Sequence, residues 1–231
     1  DVLRPKSIAR DMYELGMSFV EYVKEYGLQR SEGVLLRYLT DAYKGFVQTV
    51  PESAKTPELY DVSDWLGLTV RSIDASLLDE WEQLQSLGDD TVAPVESPEP
   101  DDESFDITKD ERGFSTMARN AVWKIVRFLS FKQYERAAEA LTDAGPNEEW
   151  TAERLADALL PYWVEYQAID IGPDARSSAQ ATFERGDTEW RLSQTLLDPR
   201  QDRSWRMELR IDLAASRQEA RPVLSLVSIS S

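Results

Sequence analysis

The amino-acid sequence predicts an α+β protein, in which a helical bundle is followed by further helices and then by a curved antiparallel sheet of four strands. Two features of the apolar pattern support this prediction. Apolar residues recur every three or four positions through most of residues 6–85 and again over 117–166, as in amphipathic helices. Beyond Gly172 the period becomes two, which indicates strands with one buried and one exposed face. Helices that precede such a sheet favour the α+β class.

Residues 1–87 are predicted to form the helical bundle. Its four helices follow one another with short connections, so neighbours should pack antiparallel. The first is predicted as one continuous helix over 6–26, because its apolar side chains keep a spacing of three or four. Residues that favour helix ends mark the boundaries: Pro5, Gly27, Ser31, Pro51, Thr56, and Asp74 or Ser76. The fourth helix should carry Leu77, Trp81 and Leu84 on its buried side.

Residues 88–107 are predicted to be a linker. They contain Pro94, Pro98 and Pro100 and few large apolar side chains, so they bury too little surface to offset the entropy of ordering. The stretch 88–111 has ten acidic residues and one basic residue, which accounts for nine of the 17 net negative charges. We interpret it as a solvated tether, and an acidic segment that mimics nucleic acid is the alternative. The remaining sequence is only mildly acidic and is compatible with a local basic face.

Residues 108–231 are predicted to form a domain that begins with helices. Thr108 and Glu111 have the spacing of a capping box at the start of the first helix. This helix should continue over 117–141, before a break at 145–147. Thr151 should cap a further helix, which contains Pro161.

The sheet is predicted as a meander, with strands near 179–184, 190–197, 204–213 and 222–230. In the clearest strand, 204–213, apolar residues alternate with charged ones. The buried face carries Trp190 and Trp205, and the helices of this domain should pack against it.

The composition excludes several kinds of chemistry. The chain has no cysteine and no histidine, so it has no disulfide framework, no thiolate or histidine metal site, no Ser-His-Asp triad and no histidine base. No catalytic set, metal site or cofactor site is predicted here. There is no run of about 18 apolar residues and no secretory leader, so we expect no membrane contact and a cytoplasmic protein. Because the sequence opens at Asp1 without a methionine, we expect a fragment or a processed chain.

Two groups of short motifs carry a family resemblance. The first lies in residues 7–51: Arg10-Asp11-Met12-Tyr13, Tyr26-Gly27-Leu28, Arg30-Ser31-Glu32-Gly33, Leu35-Leu36-Arg37-Tyr38-Leu39 and Gln48-Thr49-Val50-Pro51. It resembles the uncharacterised C-terminal domain of actinobacterial DEAD/DEAH-box RNA helicases of the superkiller type, and is similar to the helical DSHCT domain of that superfamily. The second group resembles the end of the same helicases: residues 171–176, 190–192, 198–199 and 212–216.

The resemblance implies a role within a larger enzyme. The motor of such helicases is a pair of RecA-like domains, which needs a phosphate-binding loop and an acidic Mg²⁺ motif. Neither motif occurs in this sequence, so the resemblance implies that ATP and Mg bind upstream in the parent chain. The expected partners are those RecA-like domains and RNA. This segment would then be a non-catalytic accessory region.

Basic residues of the first segment are the candidates for nucleic-acid contact. Glu32-Gly33 followed by Arg37 matches the helicase pattern, and Arg30 lies just before it. An arginine at a helix N-terminus could meet a phosphate. The alternative is an Arg/Glu cluster that joins two helices or docks onto the motor. Lys6 and Arg10 share a helix face and, with Lys24 and Lys44, could follow a phosphate backbone. An ordinary solvated face is the alternative for these four residues.

Four aromatic residues of the second domain are candidates for a pocket: Trp163, Tyr166, Trp190 and Trp205. Helices leading into a curved sheet resemble the cone of nuclear-transport-factor-like and SnoaL-like domains, whose mouth can hold a small ligand. Core packing is the alternative for these aromatics. Beside the helicase interpretation, a small-ligand-binding protein on the cone fold and a protein-interaction module therefore remain open.

Overall fold

The structure, a computed structural model, describes residues 5–74, 76–78, 81 and 105–231. Most of the predicted linker, and Leu84 of the predicted fourth helix, lie outside the described residues. The helices are α1 (Pro5–Leu15), α2 (Phe19–Glu25), α3 (Glu32–Thr49), α4 (Pro57–Ile73), α5 (Glu111–Ser130), α6 (Tyr134–Ala144), α7 (Ala152–Glu165), α8 (Pro173–Arg176) and α9 (Leu213–Glu219). The strands are β1 (Ala181–Arg185), β2 (Glu189–Thr195), β3 (Arg206–Asp212) and β4 (Val223–Ser230). The predicted α+β class is confirmed.

The sheet is an open antiparallel meander in the order β1-β2-β3-β4. The register between β3 and β4 shifts at Glu208/Leu209, where a bulge increases local twist. The outer edge of β4 is satisfied by side chains from the loop before α7. The Asn147 amide donates to the Leu224 carbonyl and accepts from the Leu226 N–H, both at 2.7 Å. These bonds replace those of a missing neighbouring strand.

Helices α5 and α7 cover the buried face of the sheet, as predicted. Phe114 of α5 packs on Trp190 with 5.2 Å between ring centroids. Tyr162 of α7 packs on Trp205 at 5.5 Å. These aromatic pairs lie in a continuous core formed by α5, α6, α7 and the inner side chains of β2, β3 and β4.

Helix α5 also packs on the N-terminal helices. Leu68 of α4 belongs to the core of the second segment, while Met117 of α5 lies against the core of the first. That first core contains Ile8, Met12 and Leu39, all fully buried. The two predicted segments therefore meet along α5, which contributes side chains to both cores.

The predicted helix over 6–26 is wrong in one respect, because it is two helices. Gly16 adopts a positive φ of 67° and ends α1, a conformation that glycine adopts without steric cost. The side chain of Ser18 then accepts from the Glu21 N–H at 3.2 Å, and Glu21 bonds back to the Ser18 N–H at 2.9 Å. This capping box begins α2. The apolar spacing continues across the break, so periodicity alone did not reveal it.

Further boundaries of the predicted helices differ from the structure. The long helix through 117–141 breaks at 131–133, where Lys132 has a φ of 56°. The cap of α5 is Asp110, which accepts from the Gly113 N–H at 2.9 Å, whereas Thr108 bonds to Asp106. Helix α9, between β3 and β4, was not predicted. It is capped by Asp212, which accepts from the Ala215 N–H at 2.9 Å.

The turn after β2 is organised by the buried carboxylate of Asp198. It accepts three backbone N–H bonds, from Arg200 at 2.8 Å, Asp202 at 3.1 Å and Arg203 at 2.9 Å. Burial by itself would raise the pKa of Asp198, but these hydrogen bonds to the charged form outweigh it and lower the pKa. The carboxylate thus stabilises the loop that leads into β3.

The close contact at Gly16 gives a testable prediction. A Cβ at Gly16 would lie 2.7 Å from the Asn120 carbonyl oxygen, whereas a Cβ at Gly27, also at positive φ, would have nothing within 4 Å. Gly27→Ala should therefore lower the free energy of unfolding by only roughly 1–2 kcal/mol, which is the cost of a left-handed backbone conformation for alanine. Gly16→Ala should lose roughly 1–3 kcal/mol more, because α5 must move. Urea unfolding measures both variants, and equal losses would contradict the contact between the α1–α2 turn and α5.

The buried Asp198 predicts a dependence of stability on pH. Because its folded pKa is lowered, its stabilisation is present above the unfolded pKa of about 4 and is lost as pH falls through the folded value. Asp198→Asn should reduce the free energy of unfolding at pH 7 by about 1–3 kcal/mol, and this difference should shrink as pH falls below 4. The exposed Asp187 in the β1–β2 turn is the matched control. If Asp187→Asn has the same effect, the loop carboxylate has no special role.

Candidate functional site

The structure exposes the arginines proposed for nucleic-acid contact. Arg30 lies in a short 3-10 turn immediately before α3, and Glu32 and Arg37 lie in the first turns of α3. All three side chains are exposed. Among the described residues, no ion pair involves any of them. The described contacts therefore do not include an Arg/Glu cluster that joins two helices.

The start of α3 has no side-chain cap. Ser31 occupies the N-cap position, as predicted, but its side chain makes no capping hydrogen bond. The N–H groups of a first helical turn lack partners within the helix. Here they lie beside the exposed Arg30, which makes this helix end a suitable place for an anion.

Arg37 and Lys44 lie on the outer face of α3. The helix buries Leu35, Leu36, Leu39 and Thr40, and positions 37, 41, 44 and 48 follow the opposite side at helical spacing. Lys44 is half-buried, with its ammonium 5.7 Å from the centroid of the Trp81 ring. We call Arg30, Arg37 and Lys44 the basic face of α3. Asp41 is the acidic residue within it.

The other basic candidates lie on α1 and α2. Lys6 is in the first turn of α1, and its side chain lies outside what the structure describes. Arg10, on the same helix, is exposed and bonds to its neighbour Asp11 at 3.3 Å. Lys24 is exposed near the end of α2. The structure therefore does not gather these residues with the basic face of α3 through any described contact.

The four aromatic pocket candidates lie in or against the core. Tyr166, Trp190 and Trp205 are buried. Trp163 is partly exposed, with its indole N–H bonded to the Tyr134 hydroxyl at 2.7 Å. Tyr162 fills the space between Trp163, Tyr166 and Trp205. Its ring centroid lies 5.1–5.5 Å from theirs. This arrangement matches the core interpretation of these residues.

A cleft that the sequence analysis missed lies where α4, α5 and β1 meet. We call it the junction cleft. Its volume is about 280 Å³, and its wall includes Arg112, Ser115, Thr116, Arg119, Phe183 and Arg185. A narrow pocket of about 10 Å³ adjoins it through Thr116 and Arg119 and reaches Tyr13, Asn120 and Arg176. The two cavities share Thr116 and Arg119, whereas Tyr13, Asn120 and Arg176 line only the narrow one.

Three of the cleft arginines have carboxylate partners. Arg119 pairs with Asp61 of α4 through two contacts of 2.8 and 3.0 Å, and both side chains are largely shielded from solvent. Arg112 pairs with Asp64 at 2.5 Å. Arg185 lies 3.7 Å from Glu111 and donates to the Ser115 hydroxyl at 3.3 Å. This last pair is exposed, so solvent weakens it.

Arg176 differs from the other three because its described partners are neutral. Its guanidinium donates to the backbone carbonyl of Tyr13 and, at 2.6 Å, to the side-chain oxygen of Asn120. It also lies 3.5 Å from the centroid of the Tyr13 ring. No carboxylate in the described part of the chain forms an ion pair with it. Burial lowers the pKa of Arg176, although Tyr13 and Glu14 act in the opposite direction.

Part of the junction cleft had a signal in the sequence. On α5 the polar residues 111, 112, 115, 116, 119 and 120 follow one side at helical spacing. A polar stripe on a helix that otherwise supplies core residues is unusual and could have been noticed. Tyr13, Asp61 and Arg176 had no such signal, because only the packing of the two segments brings them together.

Comparison with known protein families gives a match over nearly the whole chain. The model of a family described as a domain of unknown function, DUF3516, matches residues 1–229. No curated protein and no solved structure matches the chain. Within the described residues, no helix is both long and apolar enough to cross a bilayer. The same residues contain no group of three or more acidic, histidine or cysteine side chains that could hold a metal ion.

The Arg119–Asp61 ion pair between α5 and α4 leads to a prediction about the free energy of unfolding. Asp61→Asn should lower the free energy of unfolding by about 1–3 kcal/mol, because it leaves a shielded guanidinium without its counter-charge. Arg119→Met combined with Asp61→Asn should recover part of the loss. Denaturant unfolding measures this cycle. The exposed pair Arg191–Glu189 is the control, and Glu189→Gln should change stability by less than about 0.5 kcal/mol.

Proposed function

We propose that this chain, which belongs to the DUF3516 family, is the non-catalytic C-terminal accessory region of an ATP-dependent RNA helicase, and that the basic face of α3 contacts RNA. The observation that carries this proposal is that Arg30 and Arg37 are exposed beside the uncapped start of α3 and form no ion pair among the described residues. Arginine at such a position can bond a phosphate in a bidentate manner. The motif resemblance of residues 7–51 supports the helicase assignment.

The overall charge limits what this region does alone. With a net charge of −17, the chain should repel nucleic acid at long range. Contact with RNA is therefore expected to be local and to depend on RNA already held by the upstream RecA-like domains. In this proposal, ATP and Mg²⁺ bind to those upstream domains, and the parent protein is cytoplasmic.

The small-ligand alternative in the mouth of a cone has less support. Its proposed lining residues Tyr166, Trp190 and Trp205 are buried in the core. Trp163 donates a hydrogen bond to Tyr134, and the Lys132 ammonium lies 4.4 Å from the centroid of its ring. An opening at that place would require displacement of core side chains.

Neutralising the basic face of α3 should weaken RNA binding in a salt-dependent way. For single-stranded RNA, each phosphate contact contributes about 0.7 to the slope of log K against log salt. The variant Arg30→Gln/Arg37→Gln in the parent chain should therefore reduce the slope by about 1.4. Fluorescence anisotropy with a labelled RNA, at several salt concentrations, measures it.

The matched control removes two exposed arginines elsewhere. Arg136 of α6 and Arg154 of α7 are both exposed, so Arg136→Gln/Arg154→Gln makes the same change in net charge. Equal slopes for the two double variants would show that only net charge matters and would contradict the proposal. RNA-dependent unwinding by the parent chain carrying Arg37→Glu is a second measurement, and an unchanged rate would also contradict it.

The parent assignment has its own test. The coding sequence upstream of Asp1 is expected to contain a phosphate-binding loop and an acidic Mg²⁺ motif. If it contains neither, the helicase proposal fails, whatever the RNA affinity of this region.

A further inference from the structure

The turn between α2 and α3 exposes an aromatic ring close to the basic face of α3. Tyr26, the C-cap residue of α2, is 52% exposed. We propose that Tyr26 stacks on an RNA base, so that the basic face of α3 receives a single strand and not a duplex. This inference rests on the RNA contact proposed for that face. It adds a contact to a base beside the phosphate contacts of Arg30 and Arg37.

The first argument is that the ring of Tyr26 is held in place and has a free face. Its centroid lies 4.6 Å from that of Tyr22, which is itself buried. The Tyr26 N–H also bonds to the Tyr22 carbonyl at 3.1 Å. In the described part of the chain Tyr26 has no further ring contact and no cation over it, whereas Lys132 covers the Trp163 ring at 4.4 Å. A ring that is already ordered loses little entropy when a base packs on it.

The second argument is the mixture of apolar and basic side chains at this place. Val34, one helical turn before Arg37 on α3, is 54% exposed. Together with Tyr26 and Arg30 these residues combine cations with exposed apolar surface. Proteins that bind single-stranded nucleic acid use this combination, because the cations bond to phosphates while the bases stack on aromatic rings. A duplex fits less well, since its bases are paired and stacked on one another.

The third argument is the short distance between the ring and the arginines. Arg30 follows Tyr26 by four positions, so their Cα atoms lie at most about 14 Å apart. The chain turns within this stretch, because the Ser31 N–H bonds to the Leu28 carbonyl at 2.8 Å. A Cβ on Gly27 would have no atom within 4 Å, so the space beside the turn is open. One RNA strand can therefore contact the ring and an arginine together.

An abasic RNA tests the stacking directly. Fluorescence anisotropy at low salt compares the parent chain with a labelled single-stranded oligonucleotide and with the same backbone without bases. Tyr26→Ala should weaken binding of the complete RNA about tenfold and should leave binding of the abasic RNA unchanged. Equal weakening with both RNAs would overturn the inference, since the ring would then act on the backbone or on the fold. The absence of any weakening would overturn it too.

The salt dependence separates this inference from the RNA contact on which it rests. Stacking neutralises no phosphate, so Tyr26→Ala should lower the affinity and keep the slope of log K against log salt. Arg30→Gln/Arg37→Gln should lower the slope. If the arginine variant lowers the slope and Tyr26→Ala changes nothing, the stacking is refuted alone. If the slope stays unchanged in the arginine variant, the phosphate contact is refuted, whatever Tyr26→Ala does.

Matched variants show whether the effect belongs to the ring. Tyr26→Phe keeps the ring and should bind within about twofold of the unchanged chain. Tyr26→Leu keeps an apolar side chain without a π face and should bind as weakly as Tyr26→Ala. It also serves if circular dichroism shows that the alanine variant does not fold, and full affinity of a folded Tyr26→Leu would overturn the inference.

The control is Phe131→Ala, which removes an aromatic side chain of the second segment that is 58% exposed. It should leave RNA affinity unchanged. Equal weakening by Phe131→Ala and Tyr26→Ala would show that any exposed ring has this effect and would contradict a specific site.

Two further measurements distinguish a single strand from other occupants of this surface. Tyr26→Ala should not change the affinity for a blunt RNA duplex, in which every base is paired, and an equal loss with the duplex would contradict a single-strand site. A ring that packs on the upstream motor domains would make Tyr26→Ala change the rate of ATP hydrolysis without RNA. Such a change, with no loss of affinity that depends on bases, would assign Tyr26 to a protein contact and overturn the inference.

Discussion

The C-terminal end of α1 is satisfied by side chains that lie more than 100 residues later in the sequence. The last carbonyl groups of any α-helix lack partners within the helix. Here the Tyr13 carbonyl accepts from Arg176, and the Glu14 carbonyl accepts from the Trp123 indole at 3.2 Å. Gly16 follows directly and packs closely against the backbone of α5. Because of these contacts, the turn after α1 could not move away from α5 without breaking the bonds to Arg176 and Trp123. This contact decides how the N-terminal helices and the sheet-bearing segment are joined.

Ion pairs extend the same junction on both sides. Lys124 of α5 bonds to Glu21 of α2 at 2.6 Å, and Arg119 bonds to Asp61 of α4. Helix α5 thus contributes apolar side chains to two cores and polar side chains to the seam between them. The junction cleft is a consequence of this arrangement. It lies where the polar stripe of α5 is bordered by α4 on one side and by β1 on the other. Helix α4 is shared in turn, because it packs on α3 and supplies Asp61 to the seam.

Local patterns were sufficient for much of the fold. Helix α3 and the strands follow the predicted periodicities, because each presents one regular face to a core. Helix α4 also forms where it was predicted, but it contributes to both cores, with Leu68 in one and Leu66 in the other. The breaks at Gly16 and Lys132 were missed, since the apolar spacing passes through both without a change of phase. Helix α9 was missed because a seven-residue helix inside a strand connection gives too short a pattern.

The candidate sites differ in the same way. The exposure of Arg30 and Arg37 could be expected from their place at the start of a helix, since neighbours in the sequence determine it. The environment of Arg176 could not, because Tyr13, Asn120 and Arg176 meet only through tertiary packing. Motif comparison marked the stretch that contains Arg176 without indicating what the arginine contacts. A local pattern carries no information about which distant carbonyl a guanidinium will reach.

The choice of arginine over lysine at the junction cleft has a physical consequence. A guanidinium has five N–H donors in one plane, so Arg119 can bond to Asp61 and Thr116 at the same time. Arg176 likewise bonds to Tyr13 and Asn120 through one nitrogen, while its guanidinium carbon lies 3.5 Å from the centroid of the Tyr13 ring. The entropy of ordering these side chains is therefore lost during folding. A lysine of equal charge would hold these partners less well, because its ammonium lacks the planar fork of donors that a guanidinium presents.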